Sequence, residues 1–103
     1  MFQRVADKMH VLGFVVMSAG LYQLYILDLS SSSSLVVEGS FNKKRNCFLY
    51  DFYSLRFDKR KNQVFGMKVY CDSVTVKQMY NRVSHHMNFM RSMAKENEVK
   101  LRG

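Results

Sequence analysis

From Met9 to Leu27 the chain reads "MHVLGFVVMSAGLYQLYIL", nineteen residues without a formal charge. No other stretch constrains the fold as strongly, because such a run has to be taken out of water. A bilayer core needs about 20 largely apolar helical residues. Residues 9–29 supply that length, with Lys8 before the run, Asp28 at its end, and only Ser18 and Gln23 as clear polar interruptions. Val11, Leu12, Gly13 and Phe14 open the expected span. Gly20 falls on the same helix side as Gly13, where another helix could approach closely. Tyr22 and Tyr25 lie near the far end, as aromatic residues do at a membrane interface. The run therefore predicts a single transmembrane helix. A cleaved signal would end near Ser18-Ala19-Gly20, yet the apolar run continues past it. A helix buried all round in a soluble core is hard to cover with 103 residues.

The charge lies elsewhere. The chain carries a formal +8, but residues 1–27 hold only Arg4 and Lys8 against Asp7. The remainder is strongly basic, which favours contact with something anionic. Two clusters stand out as contacts for an anion or a partner: Lys43-Lys44-Arg45 and Lys59-Arg60-Lys61, each placed on a loop. Cys47 and Cys71 make no disulfide framework, and the sequence has no glycosylation sequon. With a short basic start, these features favour the mitochondrial inner membrane over a bacterial or endoplasmic-reticulum one.

After the run, Ser30–Ser34 reads as a flexible linker. Three strands are expected at 35–38, 47–57 and 63–71. A loop Arg60-Lys61-Asn62, with Asn62 left-handed, pairs Phe57 with Phe65, Leu55 with Met67 and Tyr53 with Val69. Both faces of the central strand are apolar at its start, unlike a sheet with one wet face. Thr75-x-x-Gln78 then fits a capping box, and Val76, Met79, Tyr80, Val83, Met87, Met90, Met93 and Ala94 form a helical stripe. That amphipathic helix is expected to dock on the face of Leu55, Phe57, Phe65, Met67 and Val69. The aromatics Phe48, Tyr50 and Phe52 are left to face a partner. The reading is an α+β chain: basic start 1–8, transmembrane helix 9–29, serine linker 30–34, basic head 35–98 with a three-stranded antiparallel sheet and a C-terminal amphipathic helix, and frayed tail 99–103.

Little in the chain suggests chemistry. His85 and His86 are adjacent, so on a helix they diverge by about 100°, and the i,i+4 spacing of helical metal pairs is absent. No nucleophile with its base, no Gly-rich phosphate loop and no cofactor motif can be found. The expected function is a non-catalytic, single-pass accessory or assembly subunit of a larger membrane complex, meeting lipid and other subunits. The alternative is a soluble basic RNA- or DNA-binding module whose first helix covers the second sheet face. Its order, α-β-β-β-α, resembles double-stranded-RNA-binding domains and the small Alu-RNA-binding proteins of the signal recognition particle in topology alone. The Gly-Pro turn and Lys-Lys-x-Ala-Lys helix start of the former do not occur in this chain.

Overall fold

The computed structural model describes the backbone of residues 2–58 and 60–102 and the side chains of residues 4–58 and 60–94. Helix α1 (Phe2–Val11) leads into β1 (Val15–Val16), β2 (Tyr22–Ser30), β3 (Ser33–Asn42), β4 (Cys47–Asp58) and β5 (Gln63–Val74), and α2 (Val76–Arg102) closes the chain. The five strands form one antiparallel sheet in the order β1-β2-β3-β4-β5.

The sheet has five strands where three were expected, and residues 9–29 are not one helix. Among the described residues no helix is long and apolar enough to cross a membrane. Two glycines explain the break. Gly13 has φ +98° and Gly20 φ +59°, values that stop a right-handed helix and cost glycine little. At the first, α1 ends in a Schellman motif: the Phe14 N–H donates to the Met9 carbonyl at 3.0 Å and the Gly13 N–H to the His10 carbonyl at 2.9 Å. The hydrophobic contact that accompanies this motif is Met9 with Phe14, both buried. At the second, Gly20-Leu21 is a two-residue hairpin loop closed by paired bonds between Ala19 and Tyr22. The apolar run was continuous because both faces of β2 are apolar. Gln23 and Tyr25 point under the helices, while Leu24 and Ile26 point to the other face beside Val15. Such a strand reads the same as a helix in hydropathy.

The serine run is the β2–β3 hairpin rather than a linker. Ser30 Oγ accepts from the Ser32 N–H at 3.2 Å and shares a hydrogen bond with Ser33 Oγ at 3.0 Å. The β4–β5 turn places Asn62 at φ +51°, as expected. Leu55 pairs with Met67 and Tyr53 with Val69, but Phe57 pairs with Val64, because a bulge intervenes beside Gly66.

Both helices lie on one face of the sheet. The core beneath them is Met9, Phe14, Tyr25, Leu35, Val37, Tyr50, Phe52, Met79 and Val83. Lys8 of α1 lies 4.9 Å from the ring centre of Tyr80 of α2, which joins the helices to each other. Five of the eight stripe residues of α2 are used as their spacing suggests, Met79 and Val83 fully buried and Tyr80, Met87 and Met90 partly so, whereas Val76, Met93 and Ala94 are exposed. The helix docks, however, on the opposite sheet face to the one expected. Two bulges next to Phe52 and a left-handed Ser73 (φ +53°) turn the end of β5, and Thr75 alone connects it to α2. The helix is thereby delivered to the side of Tyr50 and Phe52. The capping box forms: the Gln78 N–H donates to Thr75 Oγ1 at 3.3 Å and the Thr75 N–H to Gln78 Oε1 at 3.0 Å. Thr75→Ala should cost about 1 kcal/mol, read as a lower urea midpoint with an unchanged slope.

Candidate binding surfaces

Three places on the molecule are open or concave enough to receive a partner. The first is the sheet face that no helix covers. From β1 to β5 it presents Val15, Leu24, Ile26, Val36, Leu55, Phe57, Met67 and Val69. Met67 and Val15 are 60% and 62% exposed, whereas Val36 at the centre is only 4% exposed, shielded by its own neighbours. A groove of about 370 Å³ runs between Val15, Met17, Val36 and Phe57. β2–β5, four strands about 4.8 Å apart with at least eight paired positions in each ladder, span about 500 Å² of face. Polar residues interrupt that face, and exposed apolar patches of a few hundred Å² are often functional.

The charges on this face are all negative. Among the described residues its positions hold Asp28, Glu38 and Asp51 and no Lys or Arg, in a chain of +8. Each carboxylate is held by bonds within the chain, and the Tyr22 hydroxyl also reaches Glu38. The Ser34 hydroxyl donates to Asp28 at 2.6 Å, the Ser73 N–H to Asp51 at 2.8 Å, and the Tyr53 hydroxyl to Glu38. Burial pushes the Asp51 carboxyl above its ordinary value against the Ser73 bond, and Asp72 and Glu38 add to the rise. Burial and then the Glu38 carboxylate push the Tyr53 phenol up as well.

The second place is a cleft of about 350 Å³ between β5 and α2, lined by Lys68, Tyr70, Arg82, His85, His86 and Phe89. Its floor is a cluster of rings packed edge-on and tilted. The His86 ring lies 4.6 Å from Tyr70 and 5.6 Å from Phe52, centre to centre, and Lys68 Nζ is 5.5 Å from the Tyr70 ring. Burial lowers the His86 pKa from 6.5, and Arg82, Lys68 and His85 lower it further. Native His86 thus holds its proton less tightly than the unfolded chain does. Stability is fullest above the ordinary histidine value and declines as pH falls through it. Melting temperatures taken between about pH 8 and 5.5 should fall toward acid, and His86→Gln should flatten that fall.

The third place is an apolar groove of about 530 Å³ between α1 and α2, floored by Val5, Met79 and Tyr80 and edged by Arg4, Lys8 and Lys77.

The residues singled out from the sequence are scattered among these places. Lys43, Lys44 and Arg45 lie exposed in the β3–β4 turn and Arg60 and Lys61 in the β4–β5 turn; Lys59 lies outside the described residues. The two loops sit at opposite ends of β4 and so do not converge. Phe48, Tyr50 and Phe52 face the chain's own helices, and Tyr50 and Phe52 are buried, so neither can stack on a base. Of the expected span, Phe14 and Tyr25 are core, Leu12 is half-buried, Val11 is exposed, Gly13 and Gly20 form turns, and Tyr22 lies on the open face. Cys47 and Cys71 are free thiols. Among the described residues no group of three or more His, Cys, Asp or Glu is placed to hold a metal ion. Sequence reasoning missed Lys68, Arg82 and Phe89, although Arg82, His85, His86 and Phe89 share one side of a helix by spacing. Comparison with protein-family models, curated proteins and solved structures gives no match.

Proposed function

We propose that the protein is a non-catalytic assembly subunit of a larger protein complex. Its open sheet face docks on a partner protein that brings an apolar surface edged with Lys or Arg. The transmembrane anchor is no part of this reading, because residues 9–29 are folded into the domain. One observation carries it: an uncovered apolar sheet face whose charges among the described residues, Asp28, Glu38 and Asp51 with Asp72 beside it, are all negative. Burying carboxylates is costly unless cations meet them, and this face supplies none. A second copy would bring three more carboxylates and no cation. Nucleic acid would be repelled. A basic-edged apolar surface satisfies both the area and the charge.

The test is site-specific photo-crosslinking of the full chain in cells that make it. A photoreactive residue at Leu55 or Met67 should link to a single partner protein through a peptide with apolar residues flanked by Lys or Arg. The same group at Asn88, on the outer side of α2, should not. Linkage of Leu55 to a second copy of this chain, or identical linkage from Asn88, would overturn the proposal.

A further inference from the structure

We infer that the cleft between β5 and α2 binds single-stranded nucleic acid, with Lys68 and Arg82 taking a backbone phosphate and Phe89 carrying a base. The site lies on the helix side of the sheet and meets the open face at Val69, which borders both. Arg82, His85, His86 and Phe89 stand at i, i+3, i+4 and i+7 along α2, so one side of the helix presents all four. β5 supplies Lys68 from across the cleft.

The sign of the cleft is one-sided. The residues lining the cleft include Lys68 and Arg82 and no carboxylate, and Arg82, Lys68 and His85 all lower the His86 pKa. The carboxylates of Asp51 and Asp72 act instead on Cys71, which Arg82 also reaches. Holding like charges together is unfavourable, and a phosphate between them would relieve the repulsion.

Phe89 points to the rest of the ligand. It is 60% exposed on α2, while Met79 and Val83 pack the helix onto the sheet, so the fold gives this ring no interior role. A positive groove beside an exposed aromatic is the arrangement that tracks a backbone and stacks its bases. β5 is also the outer strand of the sheet, and its outward peptide groups remain available to hydrogen-bond base edges. A duplex keeps its bases stacked on each other, out of reach of Phe89, whereas a single strand can turn one out.

The experiment is fluorescence anisotropy of a labelled single-stranded oligonucleotide of about 12 nucleotides with the full chain, at about 50 mM salt. The double change Lys68→Gln/Arg82→Gln should weaken binding about tenfold or more. Phe89→Ala should weaken it about tenfold, the loss of one stacked base. Lys43→Gln/Lys44→Gln removes the same charge from the β3–β4 turn and should change binding less than about twofold. All these side chains are on the surface, and circular dichroism checks that each variant folds. An equal loss from the turn pair would show diffuse attraction to a +8 chain and overturn the assignment. Absence of binding at low salt would also overturn it. Displacement of the strand by inorganic phosphate at matched ionic strength, with Phe89→Ala unaffected, would assign the cleft to a small phosphate and overturn the strand.

Discussion

Val83→Asp is expected to be unfolded before any denaturant is added, whereas His85→Asp unfolds close to the parent midpoint. The two positions are two residues apart on α2 and differ in what they face. Val83 is fully buried in the cluster with Tyr50, Phe52 and Met79. A carboxylate there would have neither water nor a cation, a cost of several kcal/mol. Against the 5–15 kcal/mol by which domains are stable, and with a small core, that loss is decisive. His85 is exposed, and its replacement puts a charge into water. Met79→Ala separates packing from charge: it should cost about 2–5 kcal/mol and leave a folded chain with a lower midpoint. Equal resistance of Val83→Asp and His85→Asp to proteolysis would mean that α2 does not pack on the sheet. His85→Asp has a second use, since placing a negative charge in the cleft should weaken oligonucleotide binding without unfolding the chain.

What could be read in the sequence was local. The Thr75–Gln78 box, the stripe through Met79 and Val83, Asn62 in its turn and the pairing of Leu55 with Met67 each depend on residues a few positions apart, or on one tight hairpin. Residues 9–29 failed for a definite reason. Hydropathy does not separate a buried apolar face from an open one, and β2 is apolar on both: Tyr25 turns under the helices while Leu24 and Ile26 turn to the uncovered face. Gly13 and Gly20 carried the correction. They were read as places where another helix could approach, while their positive φ values make them the ends of elements. The serines misled by composition: five in a row suggest a linker, but Ser30 and Ser33 bond to each other across a hairpin. The face on which α2 docks was not legible at all. Strand period gives two faces and cannot choose between them, and the choice was made by bulges at Phe52 that shift the register. The cleft stayed hidden because half of it, Lys68, comes from β5, and because the adjacent histidines were measured against metal-site spacing and not against Arg82 and Phe89 one turn to either side.

Gly39→Val should destabilise the fold by about 3 kcal/mol or more, although valine is the better strand former by up to about 1 kcal/mol. The conflict is one of space. Gly39 lies in the middle of β3, opposite Gln23 of β2 and Tyr50 of β4, and the Tyr50 ring lies across it. A Cβ placed there would be 2.7 Å from Cδ2 and 3.2 Å from Cζ of that ring, well inside van der Waals contact. The ring cannot swing aside freely. Its hydroxyl donates to Gln23 Oε1 at 3.1 Å, and the same oxygen accepts from the Tyr25 hydroxyl at 2.6 Å. Moving Tyr50 would strand a buried hydroxyl and open a gap beside Phe52, so the overlap and the broken bond add. A double-mutant cycle isolates the cause. Tyr50→Ala alone should cost about 3–5 kcal/mol as a large-to-small core change. Combined with Gly39→Val it should cost less than the sum of the two, because the added methyls fill part of the space the ring vacates. A fully additive cycle, or a Gly39→Val chain as stable as its parent, would show that the Tyr50 ring does not occupy the space over Gly39 and that the polar cluster around Gln23 is arranged differently.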